Sequence, residues 1–120
     1  MYSERLLDHF QNPRNVGELP PPAITFEVSN PACGDILRLS VRIEEGRVAE
    51  ARYKVRGCTA SIAAGSAMTE MLRGMTKTQA AALNAQVIEG AVGGLAPESK
   101  HAAVLCVDGL KSLLRRWDTL

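Results

Sequence analysis

Aromatic side chains are scarce in this sequence: Phe, Trp and Tyr together make up 4% of its 120 residues. A core must therefore come from aliphatic side chains and from close helix contacts. No apolar run approaches the roughly 20 residues needed to cross a bilayer. The N-terminal Met1-Tyr2-Ser3-Glu4-Arg5 lacks the apolar region of a signal peptide, so a soluble, cytoplasmic protein is expected. Charge is in excess on neither side, with 14 basic and 13 acidic residues giving +1. No Lys/Arg run interleaved with aromatics offers a footprint to a polyanion, so nucleic-acid binding is not expected. Cysteines are few, and Cys33, Cys58 and Cys106 are an odd, dispersed set. That argues for reduced thiols in a reducing compartment rather than a disulfide framework. The chain also lacks a C-x-x-C pair, an H-E-x-x-H helix, a G-x-S-x-G elbow and a phosphate-cradling glycine loop. Conventional hydrolase and nucleotide-enzyme readings have little to stand on.

What is present is ordinary for a folded domain: 46% hydrophobic and 22% charged residues, read as one domain over 1–120. Ser3 caps a short helix over 4–11 with Leu6, Leu7 and Phe10 on one face, and Pro13 stops it. Pro20-Pro21-Pro22 is a short stiff spacer. Alternation then places Ile24, Phe26 and Val28 on one face of a strand, and Leu37, Leu39, Val41 and Ile43 on one face of the next. Glu45-Gly46 supplies a hairpin turn into a third strand over 48–55. Ala60, Ala63, Ala64, Ala67, Met68, Met71 and Leu72 form a helical stripe of mostly small residues. Thr76 and Gln79 match a capping box, opening a helix to about residue 85. Gly90, Gly93 and Gly94 read as a flexible stretch. Pro97 enters the first turn of a last helix carrying Val104, Val107, Leu110, Leu114 and Trp117. Strands first and helices later predict an α+β fold, a three-stranded antiparallel sheet with helices packed on one face.

Two cysteines stand where chemistry is favoured. Cys33, in Pro31-Ala32-Cys33-Gly34-Asp35, is a loop thiol two residues from a carboxylate. Cys58 lies where a strand gives way to a helix, and the positive end of the helix dipole favours thiolate there. Each is a candidate ligand or nucleophile, set against the role of an inert small core residue. His101 falls near the start of the last helix, where a lone His is more often structural or solvent-exposed than a ligand. Cys106 follows it by five residues, a rotation of about 140° on a helix, so core packing is its default. Ser61 and Ser66 have no recognisable base partner. The residues by themselves reach a small α+β domain with a candidate Cys/Asp/Cys/His site.

These same motifs resemble the IscU/NifU-type iron–sulfur cluster assembly scaffold family over nearly the whole chain. The resemblance rests on Tyr2-Ser3-Glu4, Asp8-His9-Phe10-Gln11-Asn12-Pro13-Arg14-Asn15-Val16-Gly17, Pro31-Ala32-Cys33-Gly34-Asp35, Gly57-Cys58-Thr59-Ala60-Ser61 and His101. It implies the same sheet with helices on one face (an IscU/SufE-like fold), and a site at one end of the molecule. By motif, Cys33, Asp35, Cys58 and His101 are its ligands. In such scaffolds thiolates hold a transient [2Fe–2S] cluster built from iron and from sulfur delivered by a cysteine desulfurase, then pass it to acceptor proteins. That role is a scaffold's, not a turnover enzyme's. A carboxylate is a harder, weaker partner for iron, so Asp35 would keep the cluster releasable. Apo forms often carry Zn²⁺.

The chain departs from the family at two places. Ala102 stands where a third ligand cysteine usually follows the His; the only other thiol, Cys106, lies four residues later and could serve as a ligand only if the helix starts later, unwinds or shifts. The segment Leu95-Ala96-Pro97-Glu98-Ser99 keeps one Leu and one Pro of the stretch read by a dedicated Hsp70-type chaperone. No long insertion separates Cys58 from His101, so the IscU-like branch fits better than the Zn-dependent SufU branch. The runner-up is a Zn-binding partner that regulates a desulfurase or accepts its sulfur. A third reading is an interaction module with incidental cysteines.

Overall fold

A computed structural model describes residues 2–31 and 34–119. The element order is α1 (Glu4–Gln11), β1 (Ile24–Ser29), β2 (Ile36–Glu44), β3 (Arg47–Arg56), α2 (Thr59–Leu72), α3 (Lys77–Ala81), α4 (Ala85–Ala91) and α5 (His101–Arg116). The three strands form one antiparallel sheet in the order β1-β2-β3. Glu45 (φ 52°) and Gly46 (φ 73°) turn β2 into β3, the left-handed pair that a tight two-residue hairpin requires.

The alternation seen in the sequence sets the register. Val41, Leu39 and Leu37 lie opposite Ile24, Phe26 and Val28 on one side and Ala51, Tyr53 and Val55 on the other. Leu37, Leu39 and Val41 are fully buried. Each such aliphatic side chain removed from water stabilises the fold by about 1.5–3 kcal/mol before the entropy of ordering it is counted. The opposite face carries Arg38 paired with Glu18 and Glu27, and Arg52 paired with Glu50.

Helices α2 and α5 cover the apolar face of the sheet. The sequence suggests a stripe on α2, yet this helix is buried nearly all round, from Ala60 through Thr69 apart from half-buried Ile62. The reason is that α1 and α4 pack on the sides of α2 that the sheet and α5 leave open. Its small residues permit the closeness. A Cβ on Gly65 would lie 2.6 Å from the Tyr53 ring, whose hydroxyl donates to the Ile62 carbonyl at 2.7 Å.

Helix α1 corrects the sequence reading. It buries Leu6 and His9, while Leu7 and Phe10 are exposed. His9 is accommodated because Ser66 Oγ lies 2.8 Å from its Nδ1. Ser66 Oγ also accepts the Arg14 backbone N–H at 2.9 Å, so the hydroxyl proton is free to go to Nδ1. The Arg14 guanidinium sits 3.1 Å from the same nitrogen and pairs with Asp8 at 2.6 Å. Nδ1 therefore accepts, and the ring is neutral with its proton on Nε2. Burial, aided by the Arg14 charge, holds the His9 pKa below its ordinary value.

Two further boundaries differ. The capping box is present, with Thr76 Oγ1 accepting from the Gln79 N–H and the Gln79 side chain from that of Thr76. The helix it opens ends at Ala81, and Asn84 caps a separate α4 that runs through Gly90. Only Gly93 (φ 75°) and Gly94 (φ 99°) leave helical space. Pro97 begins a short 3₁₀ turn, Pro97–Ser99, and α5 starts after it at His101. On α5 the buried residues are Ala102, Ala103, Leu105, Cys106, Gly109, Leu110, Ser112 and Leu113, whereas Val104 is exposed. Among the described residues no helix is long and apolar enough to cross a membrane.

Candidate metal centre

Three segments remote in sequence meet at one end of the sheet. The turn after β1 is closed by the Gly34 N–H donating to the Asn30 carbonyl at 2.7 Å and the Asn30 N–H to the Asp35 carbonyl at 2.9 Å. Gly34 has φ 78°, which glycine adopts without strain. Asp35 thus stands just ahead of β2 with its side chain turned in and 7% of its surface exposed. Chain reversal from β3 into α2 places Cys58 as the N-cap of α2, with no side-chain capping bond of its own. His101 is the first residue of α5.

One donor atom from each of Asp35, Cys58 and His101 lies within 4.8 Å of the others. His101 Nε2 is 3.4 Å from Cys58 Sγ and 3.6 Å from Asp35 Oδ2. A tetrahedral Zn²⁺ holding thiolate, imidazole and carboxylate at its usual bond lengths needs donor separations of about 3.3–3.6 Å. Both edges to His101 fall within that span, and the third, from Asp35 to Cys58, is no longer than 4.8 Å. The set therefore fits Zn²⁺, and the thiolate and imidazole suit iron of an iron–sulfur cluster.

Asp35 is the most constrained of the three. Its Oδ2 accepts the Ser61 hydroxyl at 2.6 Å and, more distantly, the Cys58 backbone N–H at 3.5 Å. Burial by itself would raise this carboxyl, but the hydrogen bonds from Ser61 and Cys58 and the nearby His101 outweigh it and hold the pKa below its ordinary value. The carboxylate lies directly over Gly57, where an added Cβ would stand 2.5 Å from Asp35 Cγ. The glycine of Gly57-Cys58 makes room for the acid.

Of the other residues expected at the site, Cys33 lies outside the described residues. Cys106 is not brought to the donor group. It is 1% exposed, within the core on α5, and burial pushes its thiol up to about 12. Ala102, at the family's third-cysteine position, is fully buried. Sequence reasoning missed Ser61, which ties Asp35 to α2 and lies 3.3 Å from Cys58 Sγ. Its only sequence signal is a small hydroxyl residue in the first helical turn after a candidate ligand.

An antiparallel sheet backed by helices, carrying a sulfur, nitrogen and oxygen donor set where strand ends meet helix starts, defines a small α+β domain with a candidate metal site. Comparison with known proteins narrows the class. The NifU-like N terminal domain family matches residues 1–119, and the chain belongs to that family. It is 39% identical to the iron-sulfur cluster assembly scaffold protein IscU of Azotobacter vinelandii, across 95% of this chain and 91% of that protein. It is 36% identical to the iron-sulfur cluster assembly scaffold protein IscU 1 of Archaeoglobus fulgidus, across 92% of this chain and 72% of that one. A similar fold occurs in the N-terminal NifU-like protein of Brucella abortus, with a TM-score of 0.65 and 22% identity over 95% of this chain and 80% of that one.

Proposed function

We propose that this protein is a scaffold on which a [2Fe–2S] cluster is assembled from iron and from sulfur supplied by a cysteine desulfurase, and from which the cluster passes to acceptor proteins in the cytoplasm. Membership of a family with named cluster-assembly scaffolds supports the coarse role. The observation that carries the assignment is the convergence of Asp35, Cys58 and His101. Cys33, a ligand candidate by resemblance to the family, is proposed as the fourth donor. The cluster is cargo: two thiolates hold it, and a carboxylate that binds iron less firmly favours its release. The His101 side chain is 29% exposed and Cys58 is half-buried, so the donor group is open to solvent.

Anaerobic reconstitution with iron and sulfide tests the reading. The expected result is a coloured species with near-equal iron and sulfide, lost in Cys58→Ser and in Cys33→Ser. A wild-type protein that holds no cluster overturns it. One observation favours a second role, a Zn²⁺-binding partner that regulates the desulfurase or accepts its sulfur. The third-cysteine position is a buried alanine and Cys106 sits in the core, while the remaining donors match zinc geometry. Cluster binding by Ala102→Cys that the parent lacks is the result expected from this alternative.

A further inference from the structure

Ser61 belongs to the first turn of α2 and is fully buried. A serine hydroxyl carries one proton, and the charged acceptor at 2.6 Å, Asp35 Oδ2, takes it. The same hydroxyl oxygen lies 3.3 Å from Cys58 Sγ. The hydroxyl bridges the carboxylate and the sulfur, the one pair of donors for which His101 is not the go-between. The oxygen that Ser61 holds is also the one facing His101 Nε2 at 3.6 Å. A carboxylate oxygen has two lone pairs; one accepts from Ser61, and the contact from the Cys58 N–H, stretched to 3.5 Å, leaves the other open to a metal.

We infer that Ser61 is a positioning residue of this centre: its buried hydroxyl fixes Asp35 Oδ2 in the pose from which it ligates, beside Cys58 and His101. The inference rests on the metal-site reading above and concerns zinc as well as cluster. A hydroxyl anchored on α2 makes the carboxylate part of the helix-borne site rather than a side chain free to turn away. Hydrogen-bond partners of this kind, one step removed from the ion, govern metal affinity by about 10–100-fold.

The test is a cycle of Zn²⁺ affinities, read by competition with a chromophoric chelator, for wild type, Ser61→Ala, Asp35→Asn and the double variant. Ser61→Ala is expected to weaken zinc binding by about 10–100-fold and to add no further loss in the Asp35→Asn background, because it acts through that carboxylate. An unchanged affinity, or an equal loss in both backgrounds as a general structural defect produces, overturns the inference. Where Ser61→Ala does not fold, Gly57→Ala takes its place, since the added Cβ displaces Asp35 from its hydroxyl partner, and the same loss of affinity is expected. Absence of zinc binding by the wild type overturns the inference, and the metal reading falls with it only when reconstitution with iron and sulfide also fails. Normal zinc binding that Ser61→Ala leaves unmoved overturns the inference alone. Reconstitution with iron and sulfide separately decides whether the centre assembles clusters.

Discussion

Adding one methyl group at Gly65 should separate the two main layers of the molecule. The new Cβ would lie 2.6 and 2.7 Å from Tyr53 Cε2 and Cδ2, against the 3.4–4 Å of ordinary contact, so a shift near 1 Å is required. The ring has no easy escape, being 1% exposed and tied through its hydroxyl to the Ile62 carbonyl at 2.7 Å. Overpacking of this kind costs about 1–3 kcal/mol, and the tether on the ring places it in the upper part of that range. Replacing glycine by alanine inside a helix returns about 1 kcal/mol. The net expectation for Gly65→Ala is a loss of about 1–2 kcal/mol, a fall in Tm of about 4–8 °C for a chain of this size. Gly90→Ala is the control. It lies within α4, with nothing within 4 Å of an added Cβ, and should gain about 0.4–1 kcal/mol. Thermal melting followed by circular dichroism measures both. A Tm for Gly65→Ala at or above wild type would refute the close-approach argument, because the helix-propensity gain would then have prevailed.

Two further outcomes follow from buried groups. The unfolded chain binds a proton at His9 near pH 6.5 while the native chain resists it, so this residue's contribution to stability is complete above that pH and is lost as pH falls toward the lowered native value. Urea titrations at pH 7.5 and 5.5 should show wild type losing more stability than His9→Asn, and equal losses would remove His9 from the account. Cys106→Ser should cost about 1–3 kcal/mol by placing an extra polar group in the core while leaving zinc affinity within twofold of wild type. A matching loss of zinc affinity would mean that the thiol reaches the site after all.

The parts legible in the sequence were those governed by local rules. Period-two alternation located β1 at its observed limits and set the inward face of β2, and Glu45-Gly46 announced the hairpin. The Thr76–Gln79 box located a helix start, but the glycines downstream masked α4, whose signal was the Asn84 cap. On α1 the hydrophobic pattern favoured Phe10 over His9. The partner that makes His9 acceptable in the interior is Ser66, 57 residues away, a distance over which no sequence window reads. The same holds at the candidate centre. Asp35, Cys58 and His101 are separated by 23 and 43 residues, so spacing alone could not join them; residue chemistry offered them as a candidate set, and only the family resemblance named them as ligands together. Ser61 escaped because its role depends on a carboxylate that reaches it across the fold.

Ser61 and Ser66 sit five residues apart on α2, about 140° around its axis and 7.5 Å along it. One hydroxyl holds the carboxylate of the candidate centre and the other holds the imidazole of the N-terminal helix. Helix α2 is thus a common axle with two pegs pointing in different directions. A rotation of that axle by a few degrees would be registered at both pegs at once, so the pose of Asp35 and the seating of α1 share a single frame of reference.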